Sequence, residues 1–336
     1  MPTRIHCPEI DPPKNPWDAD LWPGVSSSGS GVATAAGLCY GSLGTDTGGS
    51  IRYPSAANAV TGLKPTWGRV SRYGAFEPSA TLDHIGPMAR SAADCGAMLG
   101  VIAGADPRDF TTTAVDVPDY LFNLGDDLRG VKVGVDRSWI REGVDVAVGE
   151  AFSEALRVAA ELGAEIKDVT FPDPTAVIAD WYPLSGEATA GHETTLPSRK
   201  AEYRRGLVGR HIFRLPQFEI RYQNIALRRK AFCRELRTVL KSVDLLALPA
   251  QAFAAPTLAR MATLTDDPDL VGSLLRLTYP FDIPGSPTIT LPAGFTKSGG
   301  PLAFQFVGRH FDEARLVKAG HAFQRTTNWH NRHPTL

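Results

Sequence analysis

The sequence predicts a layered α/β/α fold in which helices flank both faces of a central sheet. Three observations lead there. Segments of strand character alternate with segments of helical period along the chain. Of the 336 residues, 43% are hydrophobic, enough to bury a large core. No internal repeat or heptad pattern offers a solenoid or a coiled coil instead.

The elements can be justified in chain order. Residues 24–55 crowd Gly, Ser, Thr and Ala together, yet Val32-Ala33-Thr34-Ala35-Ala36 followed by Leu38, Cys39 and Tyr40 reads as a small-residue helix running into a short strand rather than a linker. Ser91-Ala92-Ala93-Asp94 is a capping box and predicts a helix to about Ala103. Residues 131–135 read as a strand. Residues 146–162 read as an amphipathic helix, with Val148, Phe152, Leu156 and Ala159 on one face and Gly163 closing it, before a strand at 165–171. A long helix over 217–241 precedes the apolar run 243–248, which Pro249 terminates. Strands at 288–291 and 302–307 and a helix over 312–326 complete the pattern. One domain spanning 1–336 is expected.

Composition excludes several function classes. Charged residues make up 21%, with 35 basic against 36 acidic side chains, so the net charge of −1 gives no global field to attract a phosphate backbone. No stretch approaches the roughly 18 apolar residues of a membrane helix, and Met1-Pro2-Thr3-Arg4 leads into Cys7 rather than an apolar signal core, so a cytoplasmic protein without a membrane partner is expected. The four cysteines, Cys7, Cys39, Cys95 and Cys233, form no CxxC pair; neither a disulfide framework nor a metal site is expected. No motif calls for a cofactor.

Chemistry concentrates in residues 24–55. The segment starting at Gly24 lacks the lysine of a P-loop, and neither Ser26 nor Ser50 sits in a G-x-S-x-G elbow. What remains is the run Ser26-Ser27-Ser28 and the stretch Thr45-Asp46-Thr47-Gly48-Gly49-Ser50-Ile51-Arg52, whose Ser50 lies 24 residues beyond Ser26. A helix of about 11 residues from Ser30 climbs roughly 16 Å, and a strand of about five residues returns a similar distance. That path could set Ser50 near Ser26, where two hydroxyls can pass a proton. Gly48-Gly49 leaves backbone N–H groups unobstructed, as an oxyanion hole needs.

Gly24 to Ser30 together with Gly44 to Pro54 resemble the paired serine motifs of the amidase signature family. The similarity continues through Gly62-Leu63-Lys64-Pro65-Thr66, Gly68-Arg69-Val70-Ser71 and Leu82-Asp83-His84-Ile85-Gly86-Pro87-Met88-Ala89-Arg90, and includes Asn15-Pro16-Trp17-Asp18 and Gln305-Phe306-Val307-Gly308. It is strong over roughly 15–95, with a signature core at 24–95, weak through the middle and moderate over 278–330.

The resemblance implies a mixed sheet between helices and hydrolysis of a small-molecule carboxamide by a Ser–Ser–Lys triad, without a metal or other cofactor. It implies Ser50 as the acyl-enzyme nucleophile and Ser26 as the bridging serine, preceded by a cis peptide bond. The N–H groups of Thr47, Gly48 and Gly49, with that of Ser50, would form the oxyanion hole, and Asp46 with Arg52 a structural ion pair. It places the variable, substrate-facing region at 170–280.

Two departures stand out. Lys14 is the only lysine ahead of Ser26, beside Asn15-Pro16-Trp17-Asp18. The chain is therefore expected to lack the family's N-terminal part with the catalytic lysine, and to be nearly inactive alone. Val25 stands where the family has Gly. An amidase subunit of a tRNA-dependent amidotransferase, the one setting in which nucleic acid is expected, and a non-catalytic remnant are the alternative readings. A homo-oligomer is left open.

Other candidates carry less. His192-Glu193 could line a pocket, and Asp83-His84 lacks a serine elbow and reads as structural. His321, His330 and His333 read as a solvated tail, and Arg204-Arg205 and Arg228-Arg229-Lys230 as solvated helix faces.

Overall fold

The computed structural model describes residues 11–76, 79–184, 187, 192, 196–199, 218–264 and 267–335. Cys7, Glu193, Arg204, Arg205 and Gln217 lie outside the described residues.

One eight-stranded sheet runs through these residues. Its strands are β1 (Gly41–Asp46), β2 (Thr61–Lys64), β3 (His84–Ala89), β4 (Lys132–Val135), β5 (Glu165–Asp168), β6 (Leu245–Pro249), β7 (Thr288–Phe295) and β8 (Pro301–Val307). They lie in the order β1-β3-β2-β7-β8-β6-β4-β5. The β6–β4–β5 end is parallel and every other pairing antiparallel, so the sheet is mixed.

The main helices are α1 (Ser28–Ala35), α2 (Arg52–Ala57), α3 (Ala92–Ile102), α4 (Val146–Glu161), α5 (Phe218–Ser242), α6 (Pro268–Leu275) and α7 (Glu313–Thr326). Side chains alternate faces along a strand, which fixes what each helix covers. A Cβ at Gly320 of α7 would meet Ile289 and Leu291, while one at Gly62, paired with Thr290, would meet Ser55 of α2. Thus α7 and α2 cover opposite faces of β7. Burial of β8 and of nearly all of β7 on both faces follows from this layering.

Local signals account for the regular parts. The Ser91 hydroxyl accepts from the Asp94 N–H at 3.0 Å and starts α3. Val148, Phe152, Leu156 and Ala159 all turn inward on α4. Gly163, at φ 94°, ends that helix and returns the chain into β5, parallel to β4.

The serine-rich segment differs in detail. α1 is eight residues long and starts at Ser28, before Ser30, and Leu38, Cys39 and Tyr40 form no strand. Gly37, at φ 71°, turns the chain out, leaving Leu38 and Tyr40 in solvent, and β1 begins only at Gly41. The helix 217–241 is observed as Phe218–Ser242, and its Arg228 and Arg229 do not form a solvated face. Arg228 pairs with Asp180, and Arg229 donates to Ile283 O at 2.8 Å and Thr81 O at 2.9 Å. Long guanidinium stems let residues on an exposed helix reach buried carbonyls. His330 is likewise half-buried rather than solvated, and its carbonyl accepts from Arg90.

Candidate active site

The two serine motifs meet because both grip the same helix. Gly24, at φ 101°, sits so close to α2 that a Cβ there would lie 2.7 Å from the Pro54 backbone. Asn58, just after α2, donates to Pro23 O at 2.9 Å. Asn15 donates to Ala57 O at 2.8 Å, so Asn15-Pro16-Trp17-Asp18 ties the start of the chain to the end of α2. Lys14 beside it is exposed.

Ser27 makes the direct link between the motifs. Its hydroxyl accepts from the Thr45 N–H at 3.1 Å and donates to the Thr45 carbonyl at 3.2 Å. Ser26 is exposed and Ser50 half-buried, and neither hydroxyl has a hydrogen-bond partner among the described residues. No described peptide bond is cis, so the bond before Ser26 is trans rather than cis as the resemblance implies. Trans is the lower-energy form of a non-proline peptide by roughly 3 kcal/mol.

The Ser50 loop is built on Asp46. Its carboxylate accepts from the N–H of Gly49 at 2.6 Å and of Ile51 at 2.9 Å, and from Arg52 Nε at 3.0 Å and Nη2 at 2.7 Å. Burial alone would raise its pKa, but the Arg52 charge and these hydrogen bonds hold it below the usual carboxylate range. Gly49, at φ 134°, takes a conformation closed to other residues, and the Tyr53 ring fills the place of its Cβ. Of the four N–H groups expected in an oxyanion hole, that of Gly49 is therefore already spent on Asp46. Those of Thr47, Gly48 and Ser50 have no acceptor among the described residues. Trp181 Nε1 and Leu275 stand 2.9 and 3.2 Å from where a Gly48 Cβ would be, so both wall the loop.

Behind the loop lies a buried charge network that sequence reasoning missed. Arg52 Nη2 also donates to Asp282 at 2.5 Å, and its Nη1 donates to Thr278 O at 2.6 Å. Asp282 Oδ1 lies 3.8 Å from both Lys64 Nζ and His84 Nδ1. Lys64 donates to Ser286 O at 2.6 Å and lies 3.3 Å from His84 Nε2. With Lys64 as donor, Nε2 accepts and Nδ1–H donates to Asp46 O at 3.0 Å, which is the neutral tautomer. Burial, aided by the Lys64 charge, keeps His84 well below its ordinary pKa. Burial also pushes Lys64 down to about 8 and Asp282 up to about 7. No lysine hydrogen-bonds Ser26 or Ser50 among the described residues. Lys64 and Asp83-His84 were visible as motif residues; nothing local marked Thr278 or Asp282. Asp83 accepts from the Thr47 hydroxyl at 3.0 Å, and His192 packs against Phe76.

The amidase family model matches residues 6–317. The chain belongs to the amidase signature family. It is 45% identical over 334 residues to a Mycobacterium tuberculosis protein named "Putative amidase AmiD", covering 98% of this chain and 69% of that one. It is 37% identical to a glutamyl-tRNA(Gln) amidotransferase subunit of Chloroflexus aurantiacus, covering 96% and 70%. Among solved structures, a Thermotoga maritima glutamyl-tRNA(Gln) amidotransferase subunit superposes with a TM-score of 0.82 at 29% identity, over 94% of this chain and 68% of that one. A bacterial aryl acylamidase of the same family gives 0.76 at 27%, over 95% and 68%. The protein is thus an amidase-family hydrolase with the mixed α/β/α fold. Among the described residues no helix is long and apolar enough to cross a membrane.

Proposed function

We propose that Ser50 is the acyl-enzyme nucleophile for hydrolysis of a linear carboxamide. The observation that carries this reading is the loop itself: an unpartnered hydroxyl at Ser50 beside the acceptor-free N–H groups of Thr47, Gly48 and Ser50. Ser50 Oγ attacks the carbonyl carbon, and the oxyanion that forms is held by those three donors. Collapse expels ammonia or an amine, which takes up a proton, and water then cleaves the ester to the carboxylate. The proton leaving Ser50 ends on the departing amine, and Ser26, which shares no hydrogen bond with Ser50 in this structure, is the relay the family resemblance offers once the two hydroxyls approach. Asp46 and Arg52 shape the loop without touching the substrate, and Gly49 contributes its conformation rather than its N–H. Trp181 and Leu275, both in the 170–280 region, form the wall that meets the acyl group.

Among the described residues no amine base meets either serine, and this chain is expected to turn over slowly, since general-base assistance is worth about 10²- to 10⁴-fold. The reading is tested with a fluorophosphonate probe and mass spectrometry. Labelling is expected on Ser50, abolished by Ser50→Ala and slowed by Ser26→Ala with an unchanged melting temperature. Labelling that survives Ser50→Ala refutes it. The likeness to glutamyl-tRNA(Gln) amidotransferase subunits supports a second reading, in which the released ammonia passes to a partner protein. Glutamine-dependent turnover that rises when the other components of such an amidotransferase are added would favour that reading.

A further inference from the structure

The loop's two glycines pose a mechanical problem. An oxyanion hole works only if its N–H groups are aimed before the charge develops. Gly48 and Gly49 lack the Cβ atoms that restrict backbone rotation, so the peptide plane between them has little intrinsic stiffness. A trans peptide is planar, with its C=O and N–H pointing in opposite directions. Fixing both ends fixes the plane; one tie alone leaves it free to pivot.

Both ends are tied here, by residues far apart in the sequence. The Gly49 N–H donates to Asp46 Oδ1 at 2.6 Å. The Gly48 carbonyl accepts from the Thr278 hydroxyl at 2.7 Å. Thr278 is fully buried and is held through its own carbonyl by Arg52 at 2.6 Å. Its hydroxyl also contacts the Tyr53 hydroxyl, which donates to Leu274 O at 2.5 Å. Two hydroxyls bring one proton each. Leu274 O can only accept, so the Tyr53 proton goes to it, and the Thr278 proton goes to the Gly48 carbonyl. Tyr53 is also the ring that fills the Gly49 Cβ position, so the same side chain limits the loop sterically and packs its hydroxyl against that of Thr278.

We propose that Thr278 is a positioning residue for the reaction: with Tyr53 behind it, its hydroxyl locks the Gly48–Gly49 peptide plane and thereby aims the N–H groups of Gly48 and Ser50 at the substrate carbonyl. The inference rests on the Ser50 reading and adds a residue more than 200 positions away that touches no substrate. Losing the hydroxyl leaves the Gly48 carbonyl buried without its donor and the plane held only by Asp46.

The test is chosen to separate the lock from the chemistry. The sequence contains two Gly-Gly peptides, Gly48-Gly49 and Gly299-Gly300. Labelling glycine with 13C at the carbonyl and 15N at the amide therefore makes only the Gly49 and Gly300 amides visible as coupled pairs, and Gly300 is an internal control in the β7–β8 turn. In the full chain, Thr278→Val is expected to shift the Gly49 amide proton upfield and leave Gly300 in place, while Thr278→Ser restores the wild-type Gly49 signal. Fluorophosphonate labelling of Ser50 is expected to fall about 10²-fold in Thr278→Val, the loss typical of a misplaced oxyanion donor, and to recover in Thr278→Ser. An unchanged Gly49 signal in Thr278→Val, or one that Ser fails to restore, overturns the lock whatever the activity. A shifted Gly49 signal with unchanged labelling overturns its catalytic role. Labelling that survives Ser50→Ala overturns the active-site reading and the catalytic role with it, while the Gly49 signal still decides the lock.

Discussion

The two ends of the sheet are held together by different physics. At one end, α4 links the parallel strands β4 and β5 and buries Val148, Phe152, Leu156 and Ala159, lying mainly over β8, β6 and β7, and its charged pairs, such as Arg157 with Glu154 and Glu161, stay in solvent. At the β1–β3–β2 end, side chains of Asp46, Arg52, Lys64, His84 and Asp282 are fully enclosed. An apolar contact tolerates small shifts because dispersion is shallow and non-directional. A buried charge tolerates almost none, because losing its partner leaves it unsolvated. The proposed nucleophile, Ser50, lies at the end that cannot slide.

The sharpest way to break this comparison is to remove one buried charge. Arg52→Leu strips Asp46 and Asp282 of their shared cation, and a loss of about 3–5 kcal/mol is expected in urea unfolding, together with loss of Ser50 labelling. Phe152→Ala, at the other end, costs a similar amount through its cavity but should leave labelling per folded molecule unchanged. If Phe152→Ala slows labelling as much as Arg52→Leu does, the two ends are not mechanically separate.

Added methyl groups sharpen the contrast with smaller effects of opposite sign. A Cβ at Gly62 would fall 2.1 Å from Ser55 Oγ, so Gly62→Ala should destabilise by about 1–3 kcal/mol. At Gly149, inside α4, nothing lies within 4 Å of the added Cβ, and Gly149→Ala should stabilise by about 0.5–1 kcal/mol through helix propensity and the unfolded state. Equal melting shifts of the same sign would contradict the packing difference.

The smallest effect is a pH slope. Asp282 is raised from an ordinary 3.8 to about 7, so between those values the folded chain holds a proton that the unfolded chain gives up. Its contribution to stability is full below the unfolded value and is lost as pH rises towards about 7. Asp282→Asn removes that slope. The melting temperature of the variant, relative to wild type, should rise between about pH 5 and pH 7.5 in calorimetry. Parallel curves would mean that Asp282 stays ionised throughout.

Much of this was legible in one dimension. The α4 face, the α3 capping box and the paired serine motifs each rest on spacing within a few turns of chain, where period and capping act locally. The same local signals misjudged Leu38 to Tyr40, because apolar side chains after a small-residue helix look like a strand until Gly37 turns them outward. They also misjudged Arg228 and Arg229, whose partners Asp180, Thr81 and Ile283 come from elsewhere in the fold.

The sequence by itself determined the layered architecture, the family and the loop from Asp46 to Ser50, since these depend on neighbours close along the chain. Only the tertiary structure decided what holds that loop. Arg52 meets Thr278 and Asp282 across separations of 226 and 230 residues, and it does so because β2 lies beside β7 in the sheet order. A buried threonine or aspartate has no periodic signature of its own; its role comes from the partner that folding places within 3 Å, and hydrogen bonds and ion pairs in a dry interior depend on that distance more steeply than any local propensity does.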